Sequence, residues 1–113
     1  CVLGMAEEFK EQGVAVNALW PRTAIATAAI KNALGGEAIM NISRFPEIMG
    51  DAAHVILTKP SKEFTGNFCI DDTILAENGV TDFSVYAEVP FNELAPDFFV
   101  PEDDIPPKAA LDN

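Results

Sequence analysis

Residues 14 to 19, Val-Ala-Val-Asn-Ala-Leu, form an apolar run with one polar interruption, followed at once by Trp20-Pro21. Without polar alternation, and preceded by a helical pattern, such a run suits a parallel strand covered on both faces of an α/β sheet. Pro21 has no N–H to give a ladder and biases Trp20 toward an extended conformation, so it ends the strand. The carboxyl end of a strand in an open α/β sheet is where a ligand belongs. Asn17, the polar interruption, is expected to be a structural amide with satisfied partners.

The elements around this strand follow from periodicity and punctuation. Val2, Met5, Ala6 and Phe9 recur at helical spacing, with Glu7, Glu8, Lys10 and Glu11 between them and Gly13 as a stop. Ala24 to Leu34 carries Ile25, Ala28, Ala29 and Ile30 in a helical pattern between Pro21 and Gly35-Gly36. It is expected to be a short helix, with Thr23 as its cap, and to serve either as a flap over a substrate pocket or as an ordinary surface helix. A second helix begins near Phe45-Pro46, buries Ile48, Ala52, Val55 and Ile56, and stops at Lys59-Pro60. Phe68 and Ile70 mark a strand over Asn67 to Asp71, Asp72 to Glu77 a short helix before Gly79, and Phe83 to Ala87 a strand-like run. The proline- and acid-rich remainder has a disordered composition. Leaving Phe83, Phe91, Phe98 and Phe99 in water would cost roughly 1.5–3 kcal/mol each, so packing is expected as far as Val100 and disorder only beyond it.

Several functions are disfavoured. Seven Lys and Arg against 18 Asp and Glu give a net charge of −11, which repels nucleic-acid and anionic lipid phosphates. No apolar stretch approaches the length of a membrane span. His54, the single histidine, has no Cys or His at ligand spacing, so no metal site is expected. Cys1 and Cys69 suit reduced thiols, favouring a reducing intracellular compartment such as cytoplasm, peroxisome or mitochondrion. The chain opens on Cys1 already inside a helical pattern, which reads as a fragment of a longer protein.

Asn17-Ala18-Leu19-Trp20-Pro21, followed by Thr23 and Thr27, resembles the late strand and nicotinamide-side loop of the short-chain dehydrogenase/reductase family. The segments AEEF, VAVNALWP, TAIATAA, GDAAHVIL and FTGNF follow in the family's order over residues 1 to about 100. Two departures stand out: Arg22 replaces the Gly usual after the Pro, and Thr27 lies one residue farther along than the usual Thr.

The resemblance implies a doubly wound, Rossmann-like parallel-sheet α/β fold: residues 1–78 would be the carboxyl-terminal portion of that domain and 79–113 an acidic extension. It implies an NAD(P)-dependent oxidoreductase acting on an alcohol or carbonyl, with NAD or NADP as cofactor. Pro21, Thr23, Ile25 and Thr27 would contact the cofactor, with the main chain near Ile25 on the carboxamide and a Thr hydroxyl on an amide or pyrophosphate oxygen. Trp20, Ile25 and Ile30 would wall an apolar substrate pocket. The catalytic Tyr and Lys and the Gly-rich phosphate loop would lie upstream of Cys1, leaving this chain inactive alone. The last helix and strand would join an oligomer interface, making a homo-oligomer and the rest of the domain the expected partners. The alternative is a non-catalytic binding or assembly module that keeps the sheet.

Overall fold

The computed structural model of the chain describes residues 1–28, 37–97, 100–101 and 103–111. It is an α/β arrangement built on one parallel pair, β1 (Ala18–Trp20) and β2 (Phe68–Ile70). Ala18 stands opposite Phe68, Leu19 opposite Cys69 and Trp20 opposite Ile70. Around the pair lie α1 (Val2–Phe9), α2 (Glu37–Asn41), α3 (Glu47–Leu57), α4 (Asp71–Glu77) and α5 (Lys108–Leu111).

After α1 a short 3₁₀ turn runs to Gly13 at φ 72°. The Val14 N–H then reaches back to the Phe9 carbonyl at 3.3 Å, a closure that needs the left-handed residue Gly supplies cheaply. β1 is shorter than the apolar run that announced it, starting at Ala18 rather than Val14 and taking in Trp20. Asn17 explains the late start. Its Oδ1 accepts from both the N–H and the Nδ2 of Asn67, and its Nδ2 donates to the Phe64 carbonyl, each at 3.0 Å. The side-chain amide therefore takes partners that a backbone ladder would have used, and the regular ladder begins one residue later. Asn17 is structural, as its context suggested.

α3 turns Ile48, Ala52 and Val55 inward, with Ile56 half-buried against the same core. They pack with Cys69 of β2 and with Ile74 and Leu75 of α4.

Two sequence expectations are corrected. Ala24 to Ala26 do not begin a helix. Arg44 N–H donates to the Ala24 carbonyl at 2.9 Å, Ala26 N–H donates to the Arg44 carbonyl at 2.8 Å, and Ala24 N–H donates to the Ala95 carbonyl at 2.8 Å. Three tertiary main-chain bonds outweigh the few tenths of a kcal/mol by which alanine favours a helix, so Thr23 caps nothing. Helical backbone is first met in this segment at Ala28, and the expected flap from residue 29 on, with Ile30, Gly35 and Gly36, lies outside the described residues. Phe83 to Ala87 is a 3₁₀ turn over Ser84–Tyr86 rather than a strand. The Asp82 carboxylate accepts from the Ser84 N–H at 3.0 Å and curls the chain, and both Phe83 and Tyr86 then turn into the core, their rings 6.1 Å apart.

Beyond residue 78 the chain keeps packing. Phe83 is buried, Phe91 lies against the core and Ala110 of α5 is wholly buried, so packing runs past Val100, where the sequence had ended it. Phe98 and Phe99 are outside the described residues. The other side of α1 is open: Leu3 and Met5 are exposed, as is Phe68 on β2. The radius of gyration, 15.1 Å, exceeds the ~13 Å of a compact domain of this length.

Burial on α3 sets a contrast that thermal unfolding of the full-length protein can check. Ile48 is 0 % exposed and Leu57 82 % exposed. Ile48→Ala should cost roughly 2–5 kcal/mol and Leu57→Ala under ~0.5 kcal/mol. Equal losses would mean that α3 faces the core differently.

Candidate functional site

The chain leaves the carboxyl end of β1 at Pro21 and runs through residues 21–27, a loop held from several sides. Arg22, at the position where the Gly was expected, is buried. Its Nε lies 2.8 Å and 2.9 Å from the two carboxylate oxygens of Asp72. Its Nη2 donates to Thr73 Oγ1 at 3.0 Å and to Asp104 Oδ1 at 2.7 Å, and its backbone N–H donates to Asp71 Oδ1 at 3.1 Å. Arg44, equally buried, donates from Nη1 to Asp72 Oδ2 at 3.0 Å. Its guanidinium lies over the rings of Phe83 and Phe91, 5.8 Å and 5.5 Å from their centroids. Both arginines of the chain thus converge on one carboxylate at the start of α4.

Burial works against the charge on Arg22, but the hydrogen bonds and charges of Asp72 and Asp104 overcome it and raise the pKa. Burial and the neighbouring Asp72 charge push the Asp71 carboxyl up to about 6, opposed by the Arg22 N–H, the Arg44 charge and the Asp72 N–H. Its Oδ2 has no hydrogen bond among the described residues, and the Arg44 Nη1 stands 4.0 Å from its Oδ1.

The residues marked in the sequence for the cofactor are distributed unevenly. Pro21 is half-buried where the loop departs. Thr23 is buried, its hydroxyl donating to the Ala24 carbonyl at 3.2 Å, and it bridges to Pro96. Ile25 is half-buried and forms a parallel bridge with Arg44. Because Ala24 and Ala26 supply that bridge's main-chain bonds, Ile25 turns its own N–H the other way, and no hydrogen bond engages that N–H among the described residues. The Ile25 carbonyl accepts from the Thr27 N–H at 2.8 Å in a tight turn, and Thr27 is exposed. A main-chain donor and a hydroxyl-bearing side chain two residues apart can grip an amide and a neighbouring anionic oxygen.

Of the residues marked for the substrate, the structure describes Trp20 and Ile25. Trp20 is partly exposed, its Nε1 donating to Asp97 Oδ2 at 3.1 Å, while Ile25 packs toward the core and Ile30 lies outside the described residues. Beside the loop is a hollow of about 660 Å³ lined by Ala26, Met40, Phe45, Pro46 and Val85 among others.

Tyr86, the only tyrosine, donates to Asp51 Oδ2 at 2.6 Å. Burial, then the bond to Asp51 and its charge, push the phenol up to about 12. A phenol so held keeps its proton near neutral pH and serves as the donor to Asp51. His54 is exposed on α3. Among the described residues no three His, Cys, Asp or Glu gather as metal ligands, and no helix is long and apolar enough to cross a membrane.

The buried cluster of Arg22, Arg44, Asp71, Asp72 and Asp104 escaped the sequence reading. One signal was present: both arginines interrupt otherwise apolar or small surroundings, and Asp71-Asp72 follows directly on a strand. A buried cation there demands a carboxylate.

The Asp71 carboxyl makes stability depend on pH. Its folded pKa, about 6, lies above the unfolded value of ~3.9, so below pH ~4 it is protonated in both states and costs nothing. Above pH 6 its ionisation works against the fold, by up to about 3 kcal/mol. Asp71→Asn should therefore gain in melting temperature relative to wild type as pH rises from 4 to 7. A difference that stays flat or shrinks across that window would show that Asp71 is ionised more easily than its burial dictates.

No family model matches the chain. Among curated proteins it is 58% identical over 102 residues to hydroxysteroid dehydrogenase-like protein 2 of Bos taurus, covering 90% of this chain and 24% of that protein. The Homo sapiens protein of the same name is 56% identical over 101 residues, covering 89% of this chain and 23% of that protein. The chain thus spans about a quarter of the length of these relatives. A solved short-chain dehydrogenase from Mycobacterium thermoresistibile superposes with a TM-score of 0.78 at 51% identity, covering 94% of this chain and 38% of that one. Over nearly its whole length, then, the chain is a homologue of one stretch of hydroxysteroid dehydrogenase-like protein 2, and its fold is that of the short-chain dehydrogenases.

Proposed function

We propose that this chain is the carboxyl-terminal part of an NAD(P)-dependent short-chain oxidoreductase that interconverts an alcohol and a carbonyl. The observation that carries this reading is the loop of residues 21–27 at the carboxyl end of a parallel strand, with the Ile25 N–H outside the bonds of the bridge to Arg44 and Thr27 exposed. In this reading the Ile25 N–H holds the nicotinamide carboxamide, Thr27 contributes its hydroxyl and Pro21 sets the angle at which the loop leaves the sheet. Thr23 supports them from inside. The bound nicotinamide supplies or receives the hydride, while the Tyr and Lys that manage the proton lie upstream of Cys1.

The substrate is a small apolar alcohol or carbonyl compound. Trp20, Ile25 and Ile30 were marked for its pocket, and the adjoining hollow adds Met40, Phe45 and Val85 as apolar wall. The segment after Thr27 acts as the flap. α3 and β2 take part in a subunit interface, for which the exposed Phe68 is the first candidate.

Fluorescence titration of NADH and NADPH against the full-length protein tests the cofactor grip. Thr27→Val should weaken binding by about 1 kcal/mol, the scale of one side-chain hydrogen bond. Thr23→Val should leave affinity nearly unchanged. Wild-type affinity in Thr27→Val would remove its hydroxyl from the site.

A further inference from the structure

We propose that the stretches 95–97 and 103–104 form a strap that holds the cofactor loop in place, and that Asp104 is its positioning residue, acting through Arg22. This rests on the reading of residues 21–27 as that loop. The loop is the middle ply of three. On one side it bridges to Arg44 through Ala24 and Ala26; on the other, the Asp97 N–H donates to the Arg22 carbonyl at 2.9 Å and the Ala24 N–H to the Ala95 carbonyl at 2.8 Å. Thr23 and Pro96 form the antiparallel bridge between them, and Ala95 in turn donates to the Ile42 carbonyl at 2.9 Å. The direction of the Ile25 N–H, away from Arg44, is set by this sandwich, because Ile25 follows directly on residues tied to both outer plies.

Arg22 locks the middle ply at three of its groups. Its N–H and carbonyl are held by Asp71 and Asp97, and its side chain crosses the interior to Asp72 before emerging at Asp104. Asp104 is the anchor at the rim, with its side chain 36 % exposed against 0 % for Asp72. Removing Asp72 would take from Arg22 its interior partner and leave Arg44 no carboxylate nearer than Asp71 at 4.0 Å, and would unfold the site. Removing the Asp104 carboxylate leaves Arg22 paired with Asp72 and Thr73, so the core survives while the outer end of the guanidinium loses its hold on the strap. Asp104 is therefore the member of the cluster whose loss changes the loop's placement without dismantling the fold.

The test compares wild type, Asp104→Ala and Asp104→Glu in the full-length protein by NADH and NADPH titration, hydrogen exchange over residues 22–27 and thermal melting. Asp104→Ala should weaken cofactor binding on the order of fivefold, the scale of one partly solvated charge-assisted hydrogen bond. It should speed exchange of the Ala24 and Ala26 amides and leave the melting temperature essentially unchanged, and Asp104→Glu should restore affinity and protection. Wild-type affinity and exchange in Asp104→Ala overturn the proposal, as does a loss that follows a lowered melting temperature and that Asp104→Glu fails to restore. If wild type binds neither nucleotide, the cofactor reading falls, and exchange alone judges the strap: faster Ala24 and Ala26 amides in Asp104→Ala support it, and unchanged amides overturn it.

Discussion

The pairing of two buried guanidinium groups with the Asp72 carboxylate is the constraint on which the rest of this structure depends. A lone ion in an apolar interior costs far more than any packing contact returns, so these groups enter the core together or not at all. Arg22 brings the end of β1, Arg44 the approach to α3, Asp71 and Asp72 the start of α4, and Asp104 the tail. The apolar core of α3, α4 and Phe83 supplies the driving force for collapse, but that force has no direction. The ion cluster supplies direction, because its geometry is met in one relative placement of these segments.

Asp71 shows what such a cluster costs. The two arginines are met by Asp72 and Asp104, and Asp71 is drawn in chiefly as an acceptor for main-chain N–H groups of Arg22 and of Asp72 itself. Its second oxygen is left over, and the site holds the carboxyl near the point where it takes up a proton. The same residue that fixes the loop's first amide therefore carries the cluster's electrostatic tension.

Much of the fold was legible because it is written locally. α3 shows itself in the spacing of Ile48, Ala52 and Val55, the ends of α1 and α4 in Gly13 and Gly79, and the parallel pair in two apolar runs separated by helices. What was not legible is written in pairs far apart. Arg22 finds Asp72 and Asp104 at separations of 50 and 82 residues, and no window along the chain contains both partners. The misassigned Ala24–Ala26 segment belongs to the same class, since its extended shape is imposed by Arg44 and Ala95 against its own preference. Of the proposed site, Pro21, Ile25 and Thr27 are marked by resemblance to a family, while the part of Arg22 was hidden because a Gly was expected there.

The three-ply arrangement also has an order in time. A ribosome delivers residues 20–27 first and the outer ply last, so Arg22 waits for a further 82 residues before Asp104 exists to meet it. At about 5–20 residues per second, that interval is roughly 4–16 s. Throughout it the nascent chain carries β1 with an unfinished loop, and for the first 50 of those residues Arg22 lacks its interior partner Asp72. A message truncated before the codon for residue 95 would yield a chain without the outer layer of this loop.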